Sequence, residues 1–174
     1  MDTTLANKAY VDSQTKLEGR PIVSGIVTGQ IAGLIMAIVM MIVFTVFLGK
    51  SPLYPVQVIG SAVFGEKALE GFHAGALVAG LLLHQLGPSL LWGLVYGGLA
   101  SLWKVRTASS ALLLGLGLSV FSMIVPYLFI PILMNALHGQ DFWNREVPMF
   151  WDWAAHLVFG ASFVLFPKVQ AKLR

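Results

Sequence analysis

Residues 21–49 read PIVSGIVTGQIAGLIMAIVMMIVFTVFLG and contain no charged side chain. A helix needs about 20 apolar residues to cross a bilayer, and this stretch exceeds that length, as do residues 71–103 and 107–140. A fourth stretch reaches it only if it begins near Val147 and includes Asp152. The sequence therefore predicts an all-α, polytopic membrane protein with a single domain, residues 1–174. Its four transmembrane helices are expected at about residues 21–49, 72–103, 108–137 and 148–168.

The composition excludes several classes of protein. The chain is 57% hydrophobic and 11% charged, whereas soluble domains carry about 25% charged residues, so a soluble enzyme is excluded. The absence of cysteine excludes disulfides and thiolate metal sites. The net charge is +3, but the basic residues are not clustered, so no nucleic-acid partner is expected. Residues 1–20 lack the apolar core of a signal peptide and are predicted to form a cytosolic segment.

The basic residues are sorted by side of the predicted membrane. If the N-terminus is cytoplasmic, eight lysines and arginines lie inside and three, Lys50, Lys67 and Arg145, lie outside. Because positive charge favours the cytoplasmic side, both termini are predicted to be cytoplasmic. In the first outer loop, Pro55 can open a helix, and Val56, Ile59 and Val63 recur at near-helical spacing. This pattern predicts a short amphipathic helix at the outer interface, or a re-entrant segment buried in protein.

Glycines and prolines indicate how the helices pack. Gly25, Gly29 and Gly33 share one face of the first helix, and Gly93 and Gly97 share one face of the second. Small residues at this spacing let helices approach closely, either within the chain or at a docking face for another subunit. Prolines inside membrane helices predict kinks: Pro88, Pro126 and Pro131. Gln30 is expected to form an interhelical hydrogen bond.

Three polar residues are candidates for chemistry at outer-leaflet depth. Asp152 and His156 are four positions apart, hence on one helical face, and His84 is predicted at a comparable depth on the second helix. Such a group can accept protons from a quinol, ligate haem or another metal, or belong to a proton or ion path. The alternative is purely structural, with Asp152 beside interfacial anchors formed by Trp143, Trp151 and Trp153. His73 and His138 are expected at exposed loop ends, and a carbonyl freed by Pro88 is a possible partner for His84.

Two short runs carry a family resemblance. Leu83-His84 followed by Ser89 and Gly93, and the run His156-Leu157-Val158-Phe159-Gly160, resemble small four-helix bacterial inner-membrane proteins of the YagU-like type. The resemblance implies a four-helix fold and a location in the bacterial inner membrane. It implies no activity for these residues.

The expected function is that of a non-catalytic accessory subunit in a respiratory or photosynthetic membrane complex. Its expected partners are membrane lipids and other integral membrane subunits. The first alternative is a redox subunit in which His84, Asp152 and His156 bind haem b or a quinol, and the second is a small transporter or channel component. Whether any cofactor is bound stays open at this point.

Overall fold

The computed structural model describes residues 20–173, so the predicted cytosolic segment lies almost entirely outside the described residues. Within that range the chain is helical, without strands, which confirms the all-α prediction. Four helices are long and apolar enough to cross a membrane, as predicted. In chain order the helices are α1 (Pro21–Val46), α2 (Tyr54–Phe64), α3 (Ala74–Leu102), α4 (Ala108–His138), α5 (Phe142–Glu146) and α6 (Met149–Lys172).

Helix ends follow local capping chemistry. The Thr107 hydroxyl accepts the amide of Ser110 at the start of α4, and Asp141 caps α5 by accepting the amide of Asn144. Gly139 ends α4 with a φ of +69°, a conformation that favours glycine. The last helix extends to Lys172, a few residues beyond the predicted end. A 3₁₀ turn at Phe163–Leu165 lets Pro167 occupy the first turn of a new helical segment, where proline is tolerated.

The four long helices run up and down and give the bundle two ends. At the terminal end, the guanidinium of Arg20 donates to the carbonyl of Leu173 over 3.3 Å. The loop end carries the connections 47–73 and 139–148. The core near the terminal end is closely packed and aromatic. Tyr96 stacks on Phe163 with ring centroids 4.0 Å apart, and its hydroxyl donates to the carbonyl of Ala111 over 3.0 Å.

A glycine seam joins α1 to α3, and we use that name for Gly25, Gly29, Gly93 and Gly97. A Cβ atom added to Gly25 would lie 2.5 Å from the Cα of Gly97, and one added to Gly29 would lie 2.6 Å from the Cα of Gly93. Only residues without side chains permit backbones this close. The glycines therefore meet within the chain. This contact favours a role in packing α1 against α3 over a role as a docking face for another subunit.

Each proline-containing region of α3 and α4 includes a π-helical turn. Gln85–Ser89 contains Pro88, and Val125–Phe129 contains Pro126, so the regular α-helical hydrogen bonding is interrupted at both prolines. Pro131 follows the second turn, at the start of the next α-helical segment. The side-chain amide of Gln30 donates to the carbonyl of Gln85 over 2.8 Å. This bond is the interhelical role expected of Gln30, and it satisfies a carbonyl at the distorted turn.

Helix α2 packs inside the loop end. Seven of its residues, from Pro55 to Ala62, are buried. Its backbone approaches α3 closely, because a Cβ on Gly80 would lie 3.0 Å from the amide nitrogen of Gly60. On the other side, Nε2 of His138 in α4 is 3.0 Å from the carbonyl oxygen of Ala62. Helix α2 thus covers the interior between α3 and α4, in agreement with a segment buried in protein.

Candidate polar site in the helical core

A small cavity lies beneath α2, toward the loop end of the bundle. Its volume is about 40 Å³, which is enough for at least one water-sized group. Most of its walls are apolar, and the ionisable side chains on them are His84 and Asp152. The lining residues come from five helices: Met36, Ala37 and Met40 in α1; Pro55, Val56 and Ile59 in α2; Leu81 and His84 in α3; Trp143 in α5; and Asp152 in α6.

The Asp152 carboxylate is 1% exposed and only half satisfied. Its Oδ2 accepts the indole N–H of Trp143 over 3.2 Å. Its Oδ1 has no hydrogen-bond partner among the described residues. Within residues 20–173, His156 is the one basic side chain within 4.0 Å of this carboxylate, with Nε2 3.6 Å from Oδ1. A distance of 3.6 Å is too long for a hydrogen bond, so a buried acceptor atom remains unpaired.

His156 lies one turn further along α6 and is 7% exposed. Its Nδ1 is 2.6 Å from the hydroxyl oxygen of Ser122 in α4. The ring is therefore held between two helices, with one nitrogen on Ser122 and the other facing Asp152. His84 is close enough to His156 for charges on the two rings to interact.

His84 ends the first α-helical segment of α3, directly before the π-helical turn that contains Pro88. Its Nδ1 is buried and has no hydrogen-bond partner among residues 20–173. The expected pairing with a freed carbonyl is thus absent for this nitrogen; the carbonyl of Gln85 is instead taken by Gln30. The structure places His84, Asp152 and His156 around one region of the core, as the sequence analysis anticipated.

The three tryptophans expected at the interface differ from one another. Trp143 is 7% exposed and serves as the hydrogen-bond donor to Asp152, so it lies inside the bundle and does not act as a surface anchor. Trp151 and Trp153 are half-buried, and Trp151 packs on Phe47 with ring centroids 4.7 Å apart. Ser122 and the inward side of Trp143 were not identified from sequence, because contacts between distant helices leave no local pattern.

The other two histidines are half-buried at the loop end rather than fully exposed. His73 caps α3, where its Nδ1 accepts the amide of Ala76 over 3.0 Å. His138 contacts the carbonyl of Ala62. Neither lines the cavity, which makes these residues useful controls.

Hydrogen bonds and ion pairs at the loop end hold in place α2, the helix that covers the cavity. Tyr54, at the start of α2, donates its hydroxyl to Glu146 over 2.8 Å. Burial, together with this hydrogen bond, raises the pKa of Tyr54 to about 12. Arg145 bonds Glu146 at 2.8 Å and Glu66 at 3.0 Å, and the bond to Glu146 is the main reason that the pKa of Arg145 is raised. The Tyr54 bond thus holds α5 against α2, and the Arg145 bond to Glu66 ties α5 to the turn that follows α2.

The geometry does not fit haem. A cavity of about 40 Å³ holds a water-sized group, and a porphyrin is many times larger. Nδ1 of His156 is engaged by Ser122, and Nε2 faces the Asp152 carboxylate at 3.6 Å, so neither nitrogen is directed at an open position for iron. Across the described part of the chain, no group of three or more histidine and carboxylate side chains is arranged to hold a metal ion.

The fold places this chain in the class of multi-pass helical membrane proteins, by the length and apolar character of its four long helices. No protein-family model matches the chain, and no significant match was found among curated proteins or solved structures. The polar site is therefore the feature that bears on the function of the chain.

Proposed function

We propose that this chain binds a protic ligand of the quinol class, with a ligand hydroxyl in the polar cavity between His84 and Asp152. One observation carries the proposal: His84 and Asp152 line the same cavity, and each has a buried atom, Nδ1 of His84 and Oδ1 of Asp152, without a hydrogen-bond partner among residues 20–173. Buried polar atoms are usually paired, so two such residues on one cavity favour a binding site over simple packing.

The cavity suits the hydroxyl end of such a ligand. A hydroxyl group donates one hydrogen bond and accepts others. It can therefore pair with the carboxylate of Asp152 and the imidazole of His84, which line the same small cavity. The remaining walls, including Met36, Ile59 and Leu81, are apolar. Leu81 is also 45% exposed on the outside of α3, so displacing this side chain gives a quinol ring a short route from lipid. The ring requires that opening, because the cavity alone accommodates the hydroxyl.

Binding of a short-chain benzoquinol by the purified chain in lipid nanodiscs tests the proposal, with calorimetry as the readout. We expect His84→Leu and Asp152→Asn each to weaken binding about five- to thirtyfold, since each removes a hydrogen bond worth about 1–2 kcal/mol. The matched controls are His73→Asn and Asp141→Asn, which keep a helix-capping side chain outside the cavity. Equal affinity in all five proteins, or no binding by the wild type, contradicts the proposal.

We further propose that the chain resides in the bacterial inner membrane with both termini in the cytoplasm. The support is the distribution of basic residues, eight on the side of the termini and three on the other, together with the YagU-like resemblance. In this orientation α2 lies at the outer interface, and the polar cavity lies in the outer leaflet. A C-terminal fusion to a phosphatase that is active only in the periplasm is expected to be silent, and an active fusion contradicts the orientation.

A third proposal is that the chain is a subunit of a larger membrane complex of respiratory or photosynthetic electron transfer. The supporting observation is the exposed apolar surface of α3. The most apolar window of α3 is 17% buried, compared with 33–39% in the other three long helices. Native electrophoresis of mildly solubilised membranes is expected to show the chain in an assembly larger than its 18.8 kDa mass. A monodisperse monomer contradicts this proposal and leaves the cavity proposal unaffected.

A further inference from the structure

The hydrogen bonds of Ser122 determine which nitrogen of His156 carries a proton. The hydroxyl oxygen of Ser122 lies 2.6 Å from the carbonyl oxygen of Ser119 and 2.6 Å from Nδ1 of His156. A carbonyl oxygen only accepts, and a hydroxyl has one proton to give. Ser122 therefore donates to Ser119, and Nδ1 of His156 must donate to Ser122. In a neutral imidazole, Nε2 is then an acceptor without a proton.

That assignment leaves two acceptors facing each other. Nε2 of His156 lies 3.6 Å from Oδ1 of Asp152, and an ionised carboxylate also has only lone pairs to offer. Oδ2 already accepts from Trp143, whereas Oδ1 has no other partner among the described residues. A single proton added between Oδ1 and Nε2 replaces this repulsion with attraction, and a small shortening of the 3.6 Å contact then completes a hydrogen bond.

Among residues 20–173, the surroundings supply no other compensation for a charge on Asp152. The carboxylate is 1% exposed and His156 is 7% exposed, and an unpaired charge at such a position is costly. Helices α1 and α2 face the cavity with apolar side chains only. The titratable groups that face the pair are His84 from α3 and Tyr127 from α4. The loop-end charges Lys50, Glu66, Arg145 and Glu146 bond to one another instead.

We infer that Asp152 and His156 form a proton-binding pair that holds one shared proton between Oδ1 and Nε2 in the resting protein. The pair is then uncharged overall, whether the proton sits on the carboxyl or on the ring. Because Asp152 also lines the cavity, this proton is next to any hydroxyl bound there. The inference goes beyond the proposed quinol ligand and does not require it, since the shared proton is a property of the empty site.

Two spectroscopic measurements on the ligand-free protein in lipid test this inference at neutral pH. Infrared spectra in light and heavy water detect the carbonyl stretch of a protonated carboxyl group. ¹⁵N spectra of histidine-labelled protein distinguish the neutral tautomers from the imidazolium, with His156 assigned by its loss in His156→Gln. We expect either a carboxylic-acid band that disappears in Asp152→Asn but not in Asp141→Asn, or an imidazolium signal from His156. In both cases, Nδ1 of His156 is protonated.

The inference is wrong if the carboxyl band is absent and His156 is a neutral imidazole, or if the proton of a neutral ring is on Nε2. Ser122→Ala provides a second test that leaves both members of the pair intact. Removing the acceptor of Nδ1 is expected to shift His156 toward the Nε2-protonated tautomer, with loss of the carboxylic-acid band where that band is present. An unchanged tautomer in Ser122→Ala overturns the role assigned to Ser122 and with it the inference.

Discussion

The helices α1 and α3 meet in two different ways along their length. At the glycine seam their backbones are in contact, and a Cβ on Gly25 would lie 2.5 Å from the Cα of Gly97. Toward the loop end, beyond the π-helical turn at Gln85–Ser89, the same two helices line a cavity of about 40 Å³ with Met36, Met40, Leu81 and His84. One half of the pair is closed by packing, and the other, which we call the open half, lines a mostly apolar cavity that carries His84.

The difference separates structural polar groups from candidate functional ones. In the closed half, Tyr96 is fully buried and its hydroxyl is bonded to the carbonyl of Ala111. In the open half, Nδ1 of His84 and Oδ1 of Asp152 are buried without partners among the described residues. Unpaired buried atoms also occur beside the glycine seam, on Ser24 and Trp92. What distinguishes the open half is that two residues with such atoms, His84 and Asp152, line one cavity, and this arrangement favours a binding site there.

The largest effect is expected from filling the glycine seam. Gly25→Ala and Gly97→Ala each place a methyl group against the opposite backbone. Overpacking of this kind costs about 1–3 kcal/mol or more, so the free energy of unfolding measured in mixed micelles is expected to fall by that amount. Gly98→Ala is the matched control, because among residues 20–173 no atom from a neighbouring helix lies within 4 Å of its added Cβ. Equal stability of Gly97→Ala and Gly98→Ala contradicts the closed half of the comparison.

Replacing His84 by an apolar residue is expected to raise the free energy of unfolding, whereas filling the glycine seam lowers it. His84→Leu removes a buried nitrogen that has no partner among residues 20–173 and replaces it with apolar volume. Leaving such a group unpaired costs about 1–3 kcal/mol, so the variant is expected to be about 1 kcal/mol more stable than wild type in the same micelles. His73→Asn, which retains a capping side chain for α3, is expected to be neutral. A destabilised His84→Leu indicates a structural role for His84 and removes the contrast with the seam.

The smallest effect concerns the cover of the cavity and appears only at alkaline pH. The pKa of Tyr54 rises from 10.0 to about 12 on folding, through burial and its bond to Glu146, so the folded state favours the protonated phenol. The stability that this preference contributes is complete below pH 10 and is lost as the pH approaches 12. Wild-type stability is therefore expected to fall more steeply than that of Tyr54→Phe in this interval. Parallel profiles contradict the pairing of α2 with α5.

The helices themselves were largely predictable, because long uncharged stretches leave few alternatives to spanning helices. Predicted and observed ranges agree within a few residues, for example 72–103 against Ala74–Leu102. The longer deviation at the end of α6 arises from the 3₁₀ turn at Phe163–Leu165, which accommodates Pro167 without ending the helix. The distortions at Pro88 and Pro126 were also predictable, since proline removes a helical hydrogen bond wherever it occurs.

The site was only partly predictable. The spacing of Asp152 and His156 placed both on one face, and the depth estimate placed His84 near them. Their partners Ser122 and Trp143 were not found, because Ser122 lies on a different helix and Trp143 occurs in a short connection without periodicity. Trp143 was expected at the surface from its residue type, whereas α5 turns its indole toward Asp152. The alternative in which Asp152 has only a structural role did not predict that this residue lines a cavity. It also did not predict that one of its oxygens has no partner among the described residues.

The central claim is that the open half of the α1–α3 pair binds a protic group. An experimental density map of the protein in lipid, with the benzoquinol present, tests this claim most directly. We predict density in the cavity within about 3 Å of both Nδ1 of His84 and Oδ1 of Asp152, from the ligand hydroxyl or from a water molecule that it displaces in the ligand-free protein. A cavity without density in either state, with Nδ1 of His84 bonded to a protein group, contradicts the account.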